Sequence, residues 1–146
     1  MNKDFEKDYN THTELKARYD TAYNNGDEAG MDKVRSEYQA FKQTIDDKGG
    51  DYIQVFNLYK EAQDRGNAYI DINDVVKNPE ELIANFRKFG IEKFTFSSTW
   101  SSAVKVAWEF VKCGCKQEGI IEISGQFTEF MSNDYERVPA YVFTLA

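Results

Sequence analysis

The most clearly patterned stretch of the chain is residues 94–114, FTFSSTWSSAVKVAWEFVKCG. It begins with alternating aromatic residues, which are typical of a strand, and continues after a polar turn with apolar residues at helical spacing. The helix would begin at Ser97 or Ser98, because serine is a favoured N-cap, and Gly114 would end it. The apolar positions expected to face the core are Ala103, Val104, Ala107, Trp108 and Val111. The stretch therefore predicts a central strand-to-helix joint with Trp108 in the core.

Strand and helix patterns alternate on both sides of this joint. Residues 68–72 alternate like a strand, and residues 78–81, Asn-Pro-Glu-Glu, combine an N-cap, a first-turn proline and a capping-box glutamate. The remaining predicted elements are strands at 91–96, 119–124 and 138–145 and a polar hairpin loop at 125–137. Together they predict a β-α-β-α-β-β domain with a small mixed sheet over residues 67–146.

Residues 1–66 show the three- and four-residue apolar spacing of helices. An Asn-Asn-Gly turn at residues 24–26 separates the first helical pattern from a second, which starts at Asp27. A third pattern runs from residue 51 to residue 65. Short turns between such helices are typical of an αα-hairpin. The predicted fold class is therefore α+β, in which an N-terminal arm of about three helices precedes the mixed-sheet domain.

The chain of 146 residues is acidic, with a formal net charge of −7 at pH 7. The excess lies in residues 1–75, which carry 16 acidic and 10 basic side chains. Such a chain lacks the electrostatic footprint of a nucleic-acid binder, so we expect no direct contact with nucleic acid. It suits a protein partner instead, and a basic, nucleic-acid-binding protein would match its charge best.

Neither a membrane segment nor a disulfide is expected from the sequence. The first ten residues, MNKDFEKDYN, are charged, unlike a signal peptide. Apolar runs fall well short of the about 20 residues that span a bilayer. Cys113 and Cys115 are separated by one residue, a spacing that would strain a disulfide between them. These features predict a cytoplasmic protein with reduced cysteines.

Several segments of the second half resemble a known family. They are IDINDVV at 70–76, GIEKFTFSSTWSSA at 90–103, AWEF at 107–110, GCKQEGIIEI at 114–123 and VPAYVFTL at 138–145. They resemble a family of small uncharacterised proteins, a domain of unknown function, encoded on bacterial plasmids and on conjugative and phage-like elements. The resemblance brings no established activity or catalytic residue. It implies a mobile-element accessory protein, a class that often binds host or element proteins and includes inhibitors of CRISPR or restriction defence.

The polar turn at residues 97–102, which we call the elbow, is the first candidate binding site. A helix N-terminus offers free N–H groups and a positive dipole end, so it can bind an anion. The alternative is plain helix capping, because the elbow lacks the glycines and the lysine of a phosphate-binding loop. Trp100 has a separate interpretation as a partly exposed interface anchor. The candidate binding residues of the elbow are Ser97, Ser98, Thr99, Trp100 and Ser101.

Tyr23 and Tyr52 are the second group of candidate binding residues. They fit the buried helical stripes less well than the other tyrosines of the N-terminal half, so we expect them to be exposed. Tyrosine supplies a large contact area at low cost in conformational entropy and is enriched at binding surfaces. The alternative interpretation is packing within the helical core.

The sequence contains no recognisable catalytic constellation. Its single histidine, His12, lies on the apolar face of the first helical pattern, so the serines of the elbow lack a general base. Cys113 and Cys115 lack the second ligand pair of a zinc site, and no calcium-binding loop is present. We therefore predict a non-enzymatic protein without catalytic residues, metal or cofactor.

These patterns support one leading functional hypothesis and two alternatives. The leading hypothesis is a protein-binding accessory or inhibitor protein of a mobile genetic element, acting in counter-defence against CRISPR or restriction systems. The first alternative is a small anion- or ligand-binding domain that uses the elbow. The second is a structural protein that oligomerises through its helical hairpin, with a homodimer as the simplest form.

Overall fold

The computed structural model describes residues 3–74 and 76–145. Within them the chain forms five helices and one four-stranded mixed sheet, and three helices precede the first strand. The α+β class, the N-terminal helical part and the mixed sheet are thereby confirmed. In chain order the elements are α1 (Lys3–Asn24), α2 (Glu28–Asp47), α3 (Gly50–Arg65), β1 (Ile70–Ile72), α4 (Pro79–Lys88), β2 (Lys93–Phe96), α5 (Ala103–Lys112), β3 (Cys115–Thr128) and β4 (Tyr135–Leu145).

The chain divides into two compact units at the bond between Gln54 and Val55. The first, which we call the helical unit, contains α1, α2 and the start of α3. The second contains the rest of α3 and the whole sheet. One continuous helix thus contributes residues to both units. The domain boundary between residues 66 and 67, where the sequence pattern changes from helix to strand, stays a prediction.

α1 and α2 form an antiparallel hairpin. Asp27 caps α2, since its side chain accepts a hydrogen bond from a first-turn N–H at 2.9 Å. Arg18 of α1 pairs with Glu37 of α2. Asp8, earlier in α1, pairs at 2.8 Å with Lys48, which lies just beyond the end of α2. Residues later in α1 therefore contact residues earlier in α2, so the two helices are antiparallel, as the short turn between them predicts.

The sheet has the strand order β1-β2-β4-β3. β1 and β2 are parallel, whereas β4 is antiparallel to both β2 and β3. Aromatic rings form the centre of the core: the Phe94 ring centroid lies 5.2 Å from that of Phe86, 5.1 Å from Phe110 and 5.4 Å from Phe143. These contacts tie α4 and α5 to the same side of the sheet.

β3 lies at the edge of the sheet, and Asn67 covers part of its free side. The Asn67 Nδ2 donates to the Ser124 carbonyl at 3.0 Å, and the Ser124 N–H donates to the Asn67 Oδ1 at 2.9 Å. A single side-chain amide thereby satisfies both backbone groups of Ser124, as a neighbouring strand would.

The β3–β4 hairpin is longer than predicted. β3 continues to Thr128 and β4 begins at Tyr135, so the predicted loop at 125–137 is wrong except at residues 129–134. Register shifts after Gln117 and after Ser124 interrupt the regular alternation on which a strand prediction depends.

α5 begins later than predicted and packs with a different face. It starts at Ala103, and Val106 and Phe110 are its buried residues. Trp108 is 57 % exposed, so the prediction that it lies in the core is wrong. The physical reason is that Phe110 fills the aromatic cluster, and a helix can present only one side to the sheet.

Candidate functional site

The outer side of α5 carries a row of exposed apolar side chains, which we call the α5 stripe. Its members, with their exposed fractions, are Trp100 (55 %), Val104 (84 %), Trp108 (57 %) and Val111 (50 %). Spacings of four and three residues place the three helical members on one side. Trp100 lies one turn earlier, since its carbonyl accepts the Ala103 N–H at 2.9 Å. Contiguous exposed apolar groups mark interaction sites in proteins.

The inner side of α5 holds the stripe in position. Phe110 is fully buried, and its ring meets three phenylalanine rings of the sheet edge-on, with centroids 5.1–5.4 Å apart. At the end of α5, Arg87 of α4 donates to the Cys113 carbonyl at 2.7 Å, which satisfies a backbone group beyond the last turn. The stripe is therefore a pre-formed surface.

The sequence predicted an exposed Trp100 but placed the helical members of the stripe in the core, although α5 contains a signal for their exposure. One side of the helix has Val106 and Phe110, and the other has Val104, Trp108 and Val111. A helix packed on one side of a sheet buries one apolar side only. A short helix that is apolar on two sides therefore predicts a second contact.

Basic side chains border the stripe beside Trp108. Lys105 precedes Trp108 by three residues and Lys112 follows it by four, the spacings of neighbours on a helix surface. The Lys112 Nζ lies 3.8 Å from the centroid of the Trp108 ring, in a cation–π contact, and 3.3 Å from a Glu109 carboxylate oxygen. The rim of the stripe thus carries more positive than negative charge within an acidic chain.

A second exposed apolar group, which we call the hairpin tip, lies at the end of the β3–β4 hairpin. It consists of Phe127 (65 % exposed), Phe130 (93 %) and Met131 (91 %). The turn is closed by a hydrogen bond of 2.8 Å from the Glu129 N–H to the Asp134 carbonyl. Met131 has φ 58°, a left-handed conformation that costs about 1 kcal/mol for a residue other than glycine. The carboxylates of Glu129 and Asp134 border the tip.

The elbow is built around a buried carboxylate. Asp71 of β1 is 5 % exposed and accepts hydrogen bonds from the hydroxyls of Thr95 at 2.7 Å and Ser97 at 2.6 Å. Burial raises the pKa of Asp71, and the hydrogen bonds from Ser97 and Thr95 partly oppose that rise. The Ser97 hydroxyl is therefore engaged with the sheet, and the prediction that it caps α5 is wrong.

The other residues of the elbow make local contacts or are exposed to solvent. Ser98 does not cap α5 either, because its hydroxyl accepts the Trp100 N–H at 3.4 Å. Thr99 and Ser101 are exposed, and the N-cap position belongs to Ser102, whose side chain makes no capping hydrogen bond. The elbow therefore contributes Trp100 to the α5 stripe, and its use as an anion site stays a prediction.

The α5 stripe, the hairpin tip and the elbow all lie within one region that matches a family model. The model is that of a domain of unknown function, DUF7698, and the match covers residues 54–145. The chain belongs to the DUF7698 family. No curated protein and no solved structure matches the chain. The DUF7698 match begins one residue before the division between the two compact units, so it covers the unit that contains the sheet.

Asp71→Asn is expected to flatten the pH dependence of stability of the DUF7698 domain. The pKa of Asp71 is raised on folding. The stability contributed by its protonated form is therefore fully present below the unfolded pKa, about 3.9, and is lost as pH rises through the folded value. Urea unfolding between about pH 3 and pH 7 measures this slope. Asp134→Asn, at an exposed position, is the control; equal slopes in both variants and wild type would contradict the prediction.

Outside the DUF7698 match, the structure contradicts the prediction for Tyr52. This residue is 2 % exposed and stacks on Phe5 with ring centroids 4.9 Å apart, and its hydroxyl donates to the Asp8 carboxylate. The Lys48 Nζ lies 2.8 Å from the same carboxylate and 4.7 Å from the Tyr52 ring centroid. Burial, and then the hydrogen bond to Asp8, raises the pKa of Tyr52. Tyr52 is thus a core residue of the helical unit, and its assignment as an exposed binding residue is wrong.

Tyr23 is 66 % exposed, as expected from its spacing. It lies 18 residues beyond Phe5 on α1, a distance of roughly 27 Å at 1.5 Å per residue. Because Tyr52 stacks on Phe5, the structure does not bring the two tyrosines into one site.

A groove of about 360 Å³ lies between α1 and α2 in the helical unit. Residues that line it include His12, Leu15, Tyr19, Val34, Arg35 and Tyr38. Arg35 donates to the Tyr19 hydroxyl at 3.1 Å and lies over the same ring, 5.5 Å from its centroid. His12 lies near Tyr38, with ring centroids 6.1 Å apart. The groove thus combines aromatic and cationic groups outside the DUF7698 match.

Residues 3–74 and 76–145 contain neither a cluster of metal ligands nor a membrane-spanning helix. No group of three or more His, Cys, Asp or Glu side chains in these residues lies together as metal ligands would. No helix among them is long and apolar enough to cross a membrane. Cys113 and Cys115 are free thiols, and burial raises the pKa of Cys115, which keeps it protonated and weakly reactive.

Proposed function

We propose that this chain is a non-enzymatic protein-binding accessory protein, and that its DUF7698 domain contacts the partner through the α5 stripe. One observation supports this most directly. Three apolar side chains, Trp108 among them, are exposed on one side of α5, whose other side is packed into an aromatic core, and a second exposed tryptophan, Trp100, precedes the helix. Tryptophan is enriched among the residues that dominate binding energy. A surface that is ordered before binding also loses little conformational entropy in the complex.

The tryptophans offer enough area to support specific binding. Trp100 and Trp108 are each a little more than half exposed. Burial of roughly 100–150 Å² on each would contribute roughly 2.5–4 kcal/mol per side chain at about 25 cal/mol per Å². Lys105 and Lys112, which border the stripe, would add orientation and partner selectivity more than affinity.

We further propose that the partner is a host or element protein in the bacterial cytoplasm, and that binding inhibits a CRISPR or restriction system. The support for this part is the resemblance to proteins of plasmids, conjugative and phage-like elements. A basic, nucleic-acid-binding partner would also fit the excess of acidic side chains in residues 1–75.

Trp108→Ala is expected to reduce capture of the partner at least about 30-fold, the equivalent of the roughly 2 kcal/mol that defines a hot spot. Tagged wild type and variant are incubated with bacterial extract, and captured proteins are quantified by mass spectrometry. Ile120→Ala is the matched control, because it removes an exposed apolar side chain of the same domain that lies outside the α5 stripe. Circular dichroism establishes that both variants are folded. Undiminished capture by folded Trp108→Ala would contradict the proposed role of the stripe.

A further inference from the structure

We propose that a second copy of this chain binds the α5 stripe with its hairpin tip. The proposal rests on the same stripe as the proposed function, and it names an occupant that the chain itself supplies. The contact is heterologous, because the tip and the stripe are different surfaces. In a pair of copies, one therefore retains an unused tip and the other an unused stripe.

The hairpin tip is placed to reach another molecule. β2 pairs with β4 only over residues 141–144, so in the described chain the part of β4 at residues 135–140 is paired with β3 alone. At about 3.3 Å per residue, this two-stranded part extends roughly 20 Å beyond the end of the β2 pairing. Phe130 at the tip is 93 % exposed, which shows that it does not cover the stripe of its own copy.

The apolar side chains of the two surfaces suit each other. The tip presents Phe127, Phe130 and Met131, and the stripe presents two tryptophan rings that alternate with two valines. Phenylalanine rings stack on tryptophan or meet it edge-on. The thioether of methionine makes favourable contacts with aromatic rings and adapts to irregular surfaces.

The charges around the two surfaces are opposite in sign. The rim of the stripe holds Lys105 and Lys112 against Glu109, which pairs with Lys112, and is net positive, whereas Glu129 and Asp134 border the tip. Two copies of a chain with a net charge of −7 repel each other at long range. Local pairing of the acidic tip with the basic rim counters that repulsion and selects the tip-to-stripe orientation over stripe-to-stripe contact.

The size of the tip limits the strength of the contact. Three large side chains at about 150 Å² each offer roughly 450 Å², below the about 800 Å² that each partner buries in a standard stable interface. The association is therefore weak, with a dissociation constant of about 0.1–1 mM. A partner protein that binds the stripe more tightly would displace the tip.

Sedimentation equilibrium of the full chain tests the proposal. The weight-average mass of wild type should rise above the monomer mass of 16.9 kDa between about 20 µM and about 1 mM. Phe130→Asp removes the tip and Trp108→Asp removes the stripe, so each variant alone should remain a monomer over that range. Ile120→Asp, at a position that is 63 % exposed and lies outside both surfaces, should associate like wild type. Circular dichroism establishes that each variant is folded. Lys112→Glu leaves the tryptophans in place and reverses a charge of the basic rim, so it should also weaken association.

Mixing the two variants tests the heterologous geometry. Phe130→Asp keeps an intact stripe and Trp108→Asp keeps an intact tip, so their equimolar mixture should form a one-to-one dimer and nothing larger. A wild type that stays monomeric to about 1 mM would overturn the proposal. Self-association of folded Phe130→Asp, or a mixture that remains monomeric, would overturn it as well.

The outcome is separable from that of the proposed function. A monomeric wild type that captures a host protein through Trp108 overturns the self-association and leaves the proposed function in place. Self-association without Trp108-dependent capture supports the tip-to-stripe contact and counts against the accessory function.

Discussion

Phe110→Ala is expected to lower the free energy of unfolding of the DUF7698 domain by about 3–5 kcal/mol. Phe110 is fully buried and contacts Phe94, Phe96 and Phe143. Truncation removes apolar contact area and leaves a cavity that rings anchored in the sheet cannot fill. A domain is usually stable by only about 5–15 kcal/mol, so this loss is a large share of the total.

Urea denaturation followed by far-ultraviolet circular dichroism measures this loss. Val104→Ala is the matched control, because Val104 lies on the outer side of the same helix and is 84 % exposed. We expect the control to change the free energy of unfolding by no more than about 0.5 kcal/mol. Similar losses in both variants would contradict the assignment of the inner and outer sides of α5.

Tyr52→Ala is expected to destabilise the helical unit by about 3–5 kcal/mol. The substitution removes a ring that stacks on Phe5, and it deprives the Asp8 carboxylate of one of its hydrogen-bond donors. Asp8 is 7 % exposed, and its ion pair with Lys48 would remain in the variant. A buried carboxylate that loses a donor adds to the cost of the cavity.

Two further variants separate the contributions of Tyr52. Tyr52→Phe keeps the ring but removes the hydroxyl, and we expect it to cost about 1–3 kcal/mol. Tyr23→Ala, at an exposed position, should change stability by no more than about 0.5 kcal/mol. Hydrogen exchange of the α1 and α2 amides reports on the helical unit separately from the sheet. A cost below about 1 kcal/mol for Tyr52→Ala would show that the residue is not part of a packed core.

Features that depend on neighbouring residues could be predicted from the sequence. α4 begins at Pro79, as expected, and the Asn78 side chain accepts the Glu81 N–H at 3.1 Å. The cap, the proline and the acidic residue all lie within one turn, so the local sequence contains the whole interaction. The cap of α2 at Asp27 was predictable for the same reason.

The packed side of a helix could not be predicted in the same way. Helical spacing shows which residues of α5 share a side, but the side that meets the sheet depends on Phe94 and Phe143 in distant strands. Tyr52 likewise becomes buried because Phe5, far away in sequence, packs on it. The first error placed the exposed Trp108 in the core, and the second placed the buried Tyr52 at the surface.

The candidate site depended even more on distant contacts. Ser97 has the local pattern of a helix cap, yet its hydroxyl donates to Asp71, 26 residues earlier in the chain. The extension of β3 to Phe127 of the hairpin tip was not predicted, because the register shifts of β3 disturb the alternation. Trp108 belongs to the exposed stripe because Phe110, and not Trp108, occupies the core.

The two hydrogen bonds between the Asn67 side chain and the Ser124 backbone also affect the tendency of the protein to aggregate. β3 is a long edge strand with Ile120 and Ile121 exposed, and such a strand is a template for uncontrolled addition of further strands. Asn67 occupies the outward backbone groups of Ser124, and the pairing of β3 with β4 is irregular directly after that residue. An incoming strand therefore meets an interrupted edge. We expect this edge to accept further strands less readily than an uninterrupted edge would.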